Sequence, residues 1–416
     1  MDGKVSCLPY RPPRGLTTVT RRRCYWKEES ERVDSNRPQN AAVTAQFALP
    51  GTPARILVIV TRRIGDVLLT TPLIRSLKQA WPTASIDVLV FRGTEGVLAG
   101  NPDIGKVIAV PARQSLREAW NQISPLRRQY DLALSTSPSD RPTIYAWLAG
   151  RRRVGVMAAG AKHVWKRILM NATVPFENRD VHTVVQNLWL ADLLGLPRCS
   201  DMPLTWSPED ESAIEALLPE YATTRYAVLH VYPKFTYKMW ASEQWCALAD
   251  ELSRRGFRIV LSGSPESNEL DYVGRLAASM SPSPLNLAGK LDFRQLALLI
   301  SRAQLYVGPD TVTTHLAAAV GAPSVALFGP SNPVKWGPWP HGCTAQESPW
   351  SMRGTQSVGN VALVQGFGAC VPCLEEGCAR EESSNSVCLQ MLTADTVMQS
   401  IENLVALAGS SPASAA

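Results

Sequence analysis

The chain has no run approaching the ~20 consecutive apolar residues that span a bilayer, which excludes a simple helical membrane anchor. Its first residues are positively charged, but no apolar stretch follows them, so they do not read as a secretory signal. These two absences make a cytoplasmic protein the expectation. Charge imbalance is also scarce. The net charge is +6, but residues 1–50 hold nine Lys or Arg against five Asp or Glu, which leaves about +2 for the other 366. So small a surplus gives no electrostatic case for nucleic acid as a partner. Neither G-x-G-x-x-G nor G-x-x-x-x-G-K-[ST] follows the first strand, so no Rossmann dinucleotide fingerprint or P-loop is supported there. Nine cysteines in 416 residues are not a disulfide scaffold, because a chain of this length builds its own cores.

What is present describes a globular α/β protein. At 416 residues, 45% hydrophobic and 19% charged, the chain is long enough for two domains. Residues 1–51 form an expected flexible basic extension, read either as a poorly ordered start or as an arm attracted to anionic lipid. From Arg55, short β-branched runs alternate with amphipathic stretches, the pattern of βαβ units. Strands are expected at Ile56–Val60, Ile86–Phe91, Lys106–Val110 and Asp131–Ser135, with a helix over residues 181–194 closing a first domain at 52–204. A polar, Pro-containing stretch (CSDMPLTWSPEDES) reads as a boundary. A second parallel sheet is expected from Tyr226–His230, Phe257–Leu261, Leu305–Val307 and Ser324–Phe328, in a domain at 222–408. Two such sheets leave a ligand crevice between their C-terminal strand edges.

Chemistry-bearing residues fall at those edges. After the first strand, Arg62-Arg63-Ile64-Gly65-Asp66 offers a tight turn and a carboxylate, read either as a general base or as a helix N-cap. Gly263-Ser264-Pro265-Glu266 offers free N–H groups for phosphate, with Glu266 able to accept from ribose hydroxyls. Val307 to His315 (VGPDTVTTH) groups Thr311, Thr313, Thr314 and His315 at a helix start, where a diphosphate would find donors, with His315 adding charge or a hydrogen bond; a Thr-rich cap with a satisfied histidine is the bland alternative. Lys238, in the aromatic loop HVYPKFTYKMW, is suited to a phosphate or to plain solvation. Arg151-Arg152-Arg153, with Lys162, Lys166 and Arg167, forms a basic patch for an anionic acceptor or for water. Cys370, Cys373, Cys378 and Cys388 are close enough in sequence for one structural zinc, although only the Cys-x2-Cys half has familiar spacing; free thiols or a redox-labile pair are the alternatives.

Three segments together resemble the ADP-heptose:lipopolysaccharide heptosyltransferases, glycosyltransferase family 9. They are ILVIVTRRIGDVLLTTPLIRSLKQAWP, the K-x-W step at Lys238–Trp240, and PDTVTTHLAAAVGAPSVALFGPSNPVKWGPW from Pro309. The Phe-x-x-Lys-x-Trp loop and the Trp-x-x-Trp ending resemble the heptosyltransferase III-like members. Val312 stands where many members have Gly, and Tyr232 and Pro233 replace paired threonines. The resemblance implies a GT-B fold of two facing Rossmann-like domains, the acceptor on the first and the nucleotide sugar on the second. It implies inverting, metal-independent transfer of heptose from ADP-heptose to the lipopolysaccharide inner core, with no cofactor and with peripheral contact at the inner membrane. By match of motif, Asp66 would be the base, Lys238 would bind the diphosphate, Glu266 the ribose, and Asp310, Thr311, Thr313, Thr314 and His315 the rest of the donor. Arg62, Arg63, Arg151 and Arg153 are the expected acceptor contacts. The competing readings are a relative using another nucleotide sugar or polysaccharide acceptor, a non-catalytic nucleotide-sugar binder, and a zinc-dependent interaction module.

Overall fold

The computed structural model describes residues 46–160, 163–219, 221–281 and 283–410. Residues 1–45, with most of the expected extension, Lys162 and the tail 411–416 lie outside them.

The first sheet contains β1 (Arg55–Val60), β2 (Ser85–Phe91), β3 (Lys106–Val110), β4 (Tyr130–Ser135), β5 (Gly150–Met157) and β6 (Ala172–Pro175). Their order is β3-β2-β1-β4-β5-β6 and every pairing is parallel. β1 shows why: Ile56, Val58 and Val60 pack into one apolar cluster while Leu57 and Ile59 pack into another on the opposite face. A strand covered on both faces must be apolar throughout. The order reverses between β1 and β4, so the loops leaving those strands diverge and open a crevice at their carboxyl ends.

The second sheet repeats the plan with β7 (Tyr226–His230), β8 (Arg258–Ser262), β9 (Leu285–Asn286), β10 (Leu305–Pro309), β11 (Ser324–Phe328), β12 (Gln356–Val358) and β13 (Val361–Gln365). The order β12-β13-β11-β10-β7-β8-β9 reverses between β7 and β10, and only the β12–β13 hairpin is antiparallel. Tyr226, Val228 and Tyr306 of this sheet share one continuous apolar cluster with Ile56, Val58 and Leu134 of the first. Among the described residues no helix is long and apolar enough to cross a membrane.

One expectation is corrected here and another is extended. The polar boundary does not remain irregular: Pro208–Leu217 is a helix, because the Asp210 carboxylate accepts the Ser207 backbone N–H at 2.7 Å and starts it. Asp210 also pairs with Arg294 at 2.8 Å, tying this helix to Phe293–Arg302 of the second half. The arginine triplet, read from the sequence only as a basic patch, forms part of a strand, the first half of β5.

Trp240 anchors the second half. It is 1% exposed, stacks edge-on with Trp245 at 4.8 Å, and donates its indole N–H to the Leu392 carbonyl at 2.7 Å. That bond fixes the start of the C-terminal helix Ala394–Ser410 against the helix Ser242–Arg254. Trp240→Ala should cost about 3–5 kcal/mol; urea unfolding is expected to show a lower midpoint with little change in slope.

Candidate active site

The loop after β1 enters the short helix Ile64–Leu68, whose N-cap position is Arg63. Asp66 therefore lies one turn inside and is not the cap; its carboxylate takes a hydrogen bond from Arg62 Nε at 2.9 Å. Burial lifts the Asp66 carboxyl above its ordinary value, against the opposing pull of Arg62, Arg63 and Lys335. Gly65 faces the His315 ring: a Cβ built there would lie 3.8 Å from it, an ordinary van der Waals contact. That proximity brings the first motif directly against the second.

Across the crevice, the loop after β7 carries Lys238 and the loop after β10 carries Asp310. Lys238 Nζ meets Asp310 Oδ2 at 2.5 Å, with side chains 17% and 8% exposed. Burial alone would raise the Asp310 carboxyl, but Lys238, His315 and a hydrogen bond with Ser331 outweigh it and hold the group below its usual range. His315 is pushed down to about 4 by burial, so it contributes a neutral ring and not the charge considered from the sequence. Its Nδ1 is buried with no hydrogen-bond partner among the described residues. Thr311 takes the N-cap position of the helix Val312–Ala319 without a side-chain capping bond, and Thr313 is buried beside it. Thr314 is used internally: its hydroxyl donates to the Pro309 carbonyl at 2.5 Å and meets Tyr306 Oη at 2.9 Å.

Other expectations change. Glu266 is exposed at the N-cap of the helix Ser267–Ser279. The Ser264 N–H is not free for phosphate, because buried Glu269 accepts it at 2.8 Å. Arg63 crosses to the second half and lies over the Phe235 ring at 4.7 Å. Arg151 and Arg153 are not at the crevice: β5 runs parallel to β4 with Arg153 level with Ala133, so both lie toward the amino end of the strand, away from the loop after Ser135. Lys166 is buried, bonded to the Pro138 carbonyl and to Asp140, each at 2.7 Å. The zinc expectation fails. Among the described residues no three His, Cys, Asp or Glu are arranged to hold a metal ion. Cys388 packs into the core beside Leu389, where burial pushes its thiol up to about 11.

One residue escaped the sequence reading although it stands inside a quoted motif. Lys335 is 2% exposed and lines one pocket with Arg62, Asp66, Gln186, Asn187 and Trp336. Its ammonium donates to the Glu177 carbonyl at 2.6 Å and to Gln186 Oε1 at 3.2 Å, and burial lowers it to about 8 against the pull of Asp66. The same loop is held to the first half by His182 Nε2 donating to the Gly337 carbonyl at 2.8 Å and Asn332 Nδ2 donating to the Arg179 carbonyl at 2.8 Å. Val184 N–H occupies His182 Nδ1, which fixes that tautomer.

The family Glycosyltransferase family 9 (heptosyltransferase) matches residues 120–355. Lipopolysaccharide heptosyltransferase 3 of Escherichia coli is 30% identical over 285 residues, covering 66% of this chain and 83% of that protein. Among solved structures, a family 9 glycosyl transferase from Veillonella parvula superposes with a TM-score of 0.68 at 21% identity, covering 85% of this chain and 97% of the other. The E. coli ADP-heptose lps heptosyltransferase II gives 0.65 at 21% identity, covering 86% and 100%. These matches agree with the GT-B arrangement of the two sheets.

Asp310→Asn should lower stability by roughly 3 kcal/mol near neutrality, because Lys238 loses its anionic partner. Since the folded carboxyl titrates below its unfolded value, its contribution is full above the unfolded pKa and is lost as pH falls through the folded one. Urea unfolding at neutral and at strongly acidic pH is expected to show the wild-type advantage only at neutral pH.

Proposed function

Because the chain belongs to glycosyltransferase family 9, and is therefore a glycosyltransferase, we propose that it transfers heptose from ADP-heptose to the inner core of lipopolysaccharide, with inversion and without a bound cation. The observation that carries this reading is the meeting of three strand exits: the one after β1 with buried Asp66, the one after β7 with Lys238, and the one after β10 with Asp310 and His315. In this proposal residues 52–204 hold the acceptor and residues 222–408 the donor.

The donor diphosphate lies against Lys238 and the uncapped start of the helix Val312–Ala319, where the helix dipole and unclaimed N–H groups favour an anion. Thr311, Thr313 and the free Nδ1 of His315 supply neutral donors or acceptors to the same ligand, and Glu266 accepts from the ribose. Asp310 keeps Lys238 aimed across the crevice. Thr314 holds the turn rather than the ligand.

Asp66 takes the proton of the acceptor hydroxyl while that oxygen forms a bond to the anomeric carbon. The bond from that carbon to the diphosphate breaks with its electron pair leaving on ADP, and the configuration inverts. A carboxylate lifted by burial is a stronger base than one in water, and Arg62 holds it in place. The charge gathering on the diphosphate is met by Lys238 and the helix start. A lipid-borne acceptor implies work at the cytoplasmic face of the inner membrane, through peripheral contact.

Asp66→Asn should lower turnover by about 10²–10⁴-fold while leaving ADP affinity nearly unchanged. Turnover at the wild-type rate in that variant removes the base assignment. Calorimetry without added metal is expected to show ADP and ADP-heptose binding, weakened by Lys238→Ala; preference for UDP-sugars, or loss of binding in chelator, overturns the donor assignment. The acid limb of the wild-type kcat/KM profile should lie above the ordinary carboxylate range, because Asp66 must be ionised to act.

A further inference from the structure

On the outer face of the first sheet one helix reverses the usual rule of apolar inside and charged outside, and its two neighbours expose large apolar side chains besides those they bury. In Val164–Leu169 the one buried side chain is Lys166, while Val164, Trp165 and Ile168 are 49%, 42% and 77% exposed. The neighbouring helix Asp140–Ala149 turns Ile144 and Trp147 outward at 38% and 40%, and Leu116–Ile123 turns Trp120 outward at 54%. Among the described residues these six are half of the twelve exposed large hydrophobic side chains, and the three helices pack side by side. Lys166 explains why the pattern persists. Its ammonium is held inward by Asp140 and the Pro138 carbonyl, and this inward anchor leaves the rest of the short helix facing out.

The surrounding charge is mainly positive. Arg117, Arg127, Arg128 and Arg167 are exposed and make no ion pair among the described residues. The three carboxylates of this layer are already engaged: Glu118 with Ser115, Asp131 with the Ala54 and Arg55 N–H groups and with Arg151, and Asp140 with Lys166. Indoles and aliphatic side chains ringed by unpaired arginines match the headgroup region of an anionic bilayer, where amphipathic rings sit at the polar boundary and cations meet lipid phosphate. The loop Thr136–Ser139 joins this layer to the crevice, since Thr136 lines the Asp66 pocket and Pro138 holds Lys166.

We infer that the face formed by Trp120, Ile144, Trp147, Val164, Trp165 and Ile168 docks on the surface of an anionic membrane, with the arginines binding lipid phosphate. The surface assignment rests on the proposed lipid-borne acceptor only for the biological setting; exposure and charge carry the rest.

The test is flotation of the full chain with vesicles of phosphatidylcholine alone and of phosphatidylcholine mixed with phosphatidylglycerol. Wild type is expected to float with the mixed vesicles. Trp165→Glu with Ile168→Glu should lower the vesicle partition coefficient about tenfold or more, and Arg127→Glu with Arg128→Glu should do so at low salt. Leu270→Glu, an exposed apolar residue of the second half, should leave flotation unchanged. All variants should keep calorimetric ADP binding and turnover on a delipidated, soluble core saccharide. Flotation of the Trp165/Ile168 variant at the wild-type level, equal flotation of wild type with neutral vesicles, or no wild-type flotation overturns the assignment. So does sedimentation showing that wild type self-associates through this face and fails to float. Loss of ADP binding in wild type with variant-sensitive flotation intact would remove the donor reading and leave the docking face standing.

Discussion

The arrangement depends on one buried ammonium. Lys335 belongs to the second half of the chain, yet its charge is compensated by the first, through the Glu177 carbonyl, Gln186 and the nearby Asp66 carboxylate. A buried cation without partners is too costly to persist, so the loop that carries it must stay docked where those oxygens are. His182 and Asn332 fasten the same loop on either side. Docking in turn brings the helix bearing Asp66 against the helix bearing His315, so a structural requirement and the closeness of these two polar segments have a common cause.

The two sheets apply one rule twice. In each, the strand order reverses beside the first strand, and the loops on either side of that reversal carry the polar groups. The first reversal gives the Asp66 loop, and the second gives the Lys238 and Asp310 loops. The candidate site thus lies where parallel connections diverge, and the residues placed there need little local strain. Asp66 and Thr311 occupy ordinary helix-start positions.

Much of this was legible in the sequence, for identifiable reasons. β1, β7 and β11 are continuous apolar runs, because both faces of a central parallel strand are covered. The loops after β1, β7 and β10 announced themselves through charge, threonine and glycine directly after such runs. β5 was hidden because its amino half is three arginines, and only its carboxyl half, from Val154, is buried. The hairpin of β12 and β13 was hidden behind the cysteine cluster that follows it. Within the site, residue type indicated Asp66, Lys238 and His315, but not which hydroxyls are already spent. Thr314 and Ser264 look like free donors until their partners at Pro309 and Glu269 are seen. Contacts such as Lys335 to Glu177 join residues more than 150 positions apart, and no local pattern encodes them.

Both histidines of the crevice have been removed from the pH range in which imidazole ordinarily exchanges protons. Burial drives His182 down to about 3 and His315 to about 4. The cleft therefore has no imidazole buffer near neutrality: a proton taken up by a carboxylate there cannot be handed to a neighbouring ring. In the proposed reaction the proton that Asp66 takes up therefore leaves with product or through water.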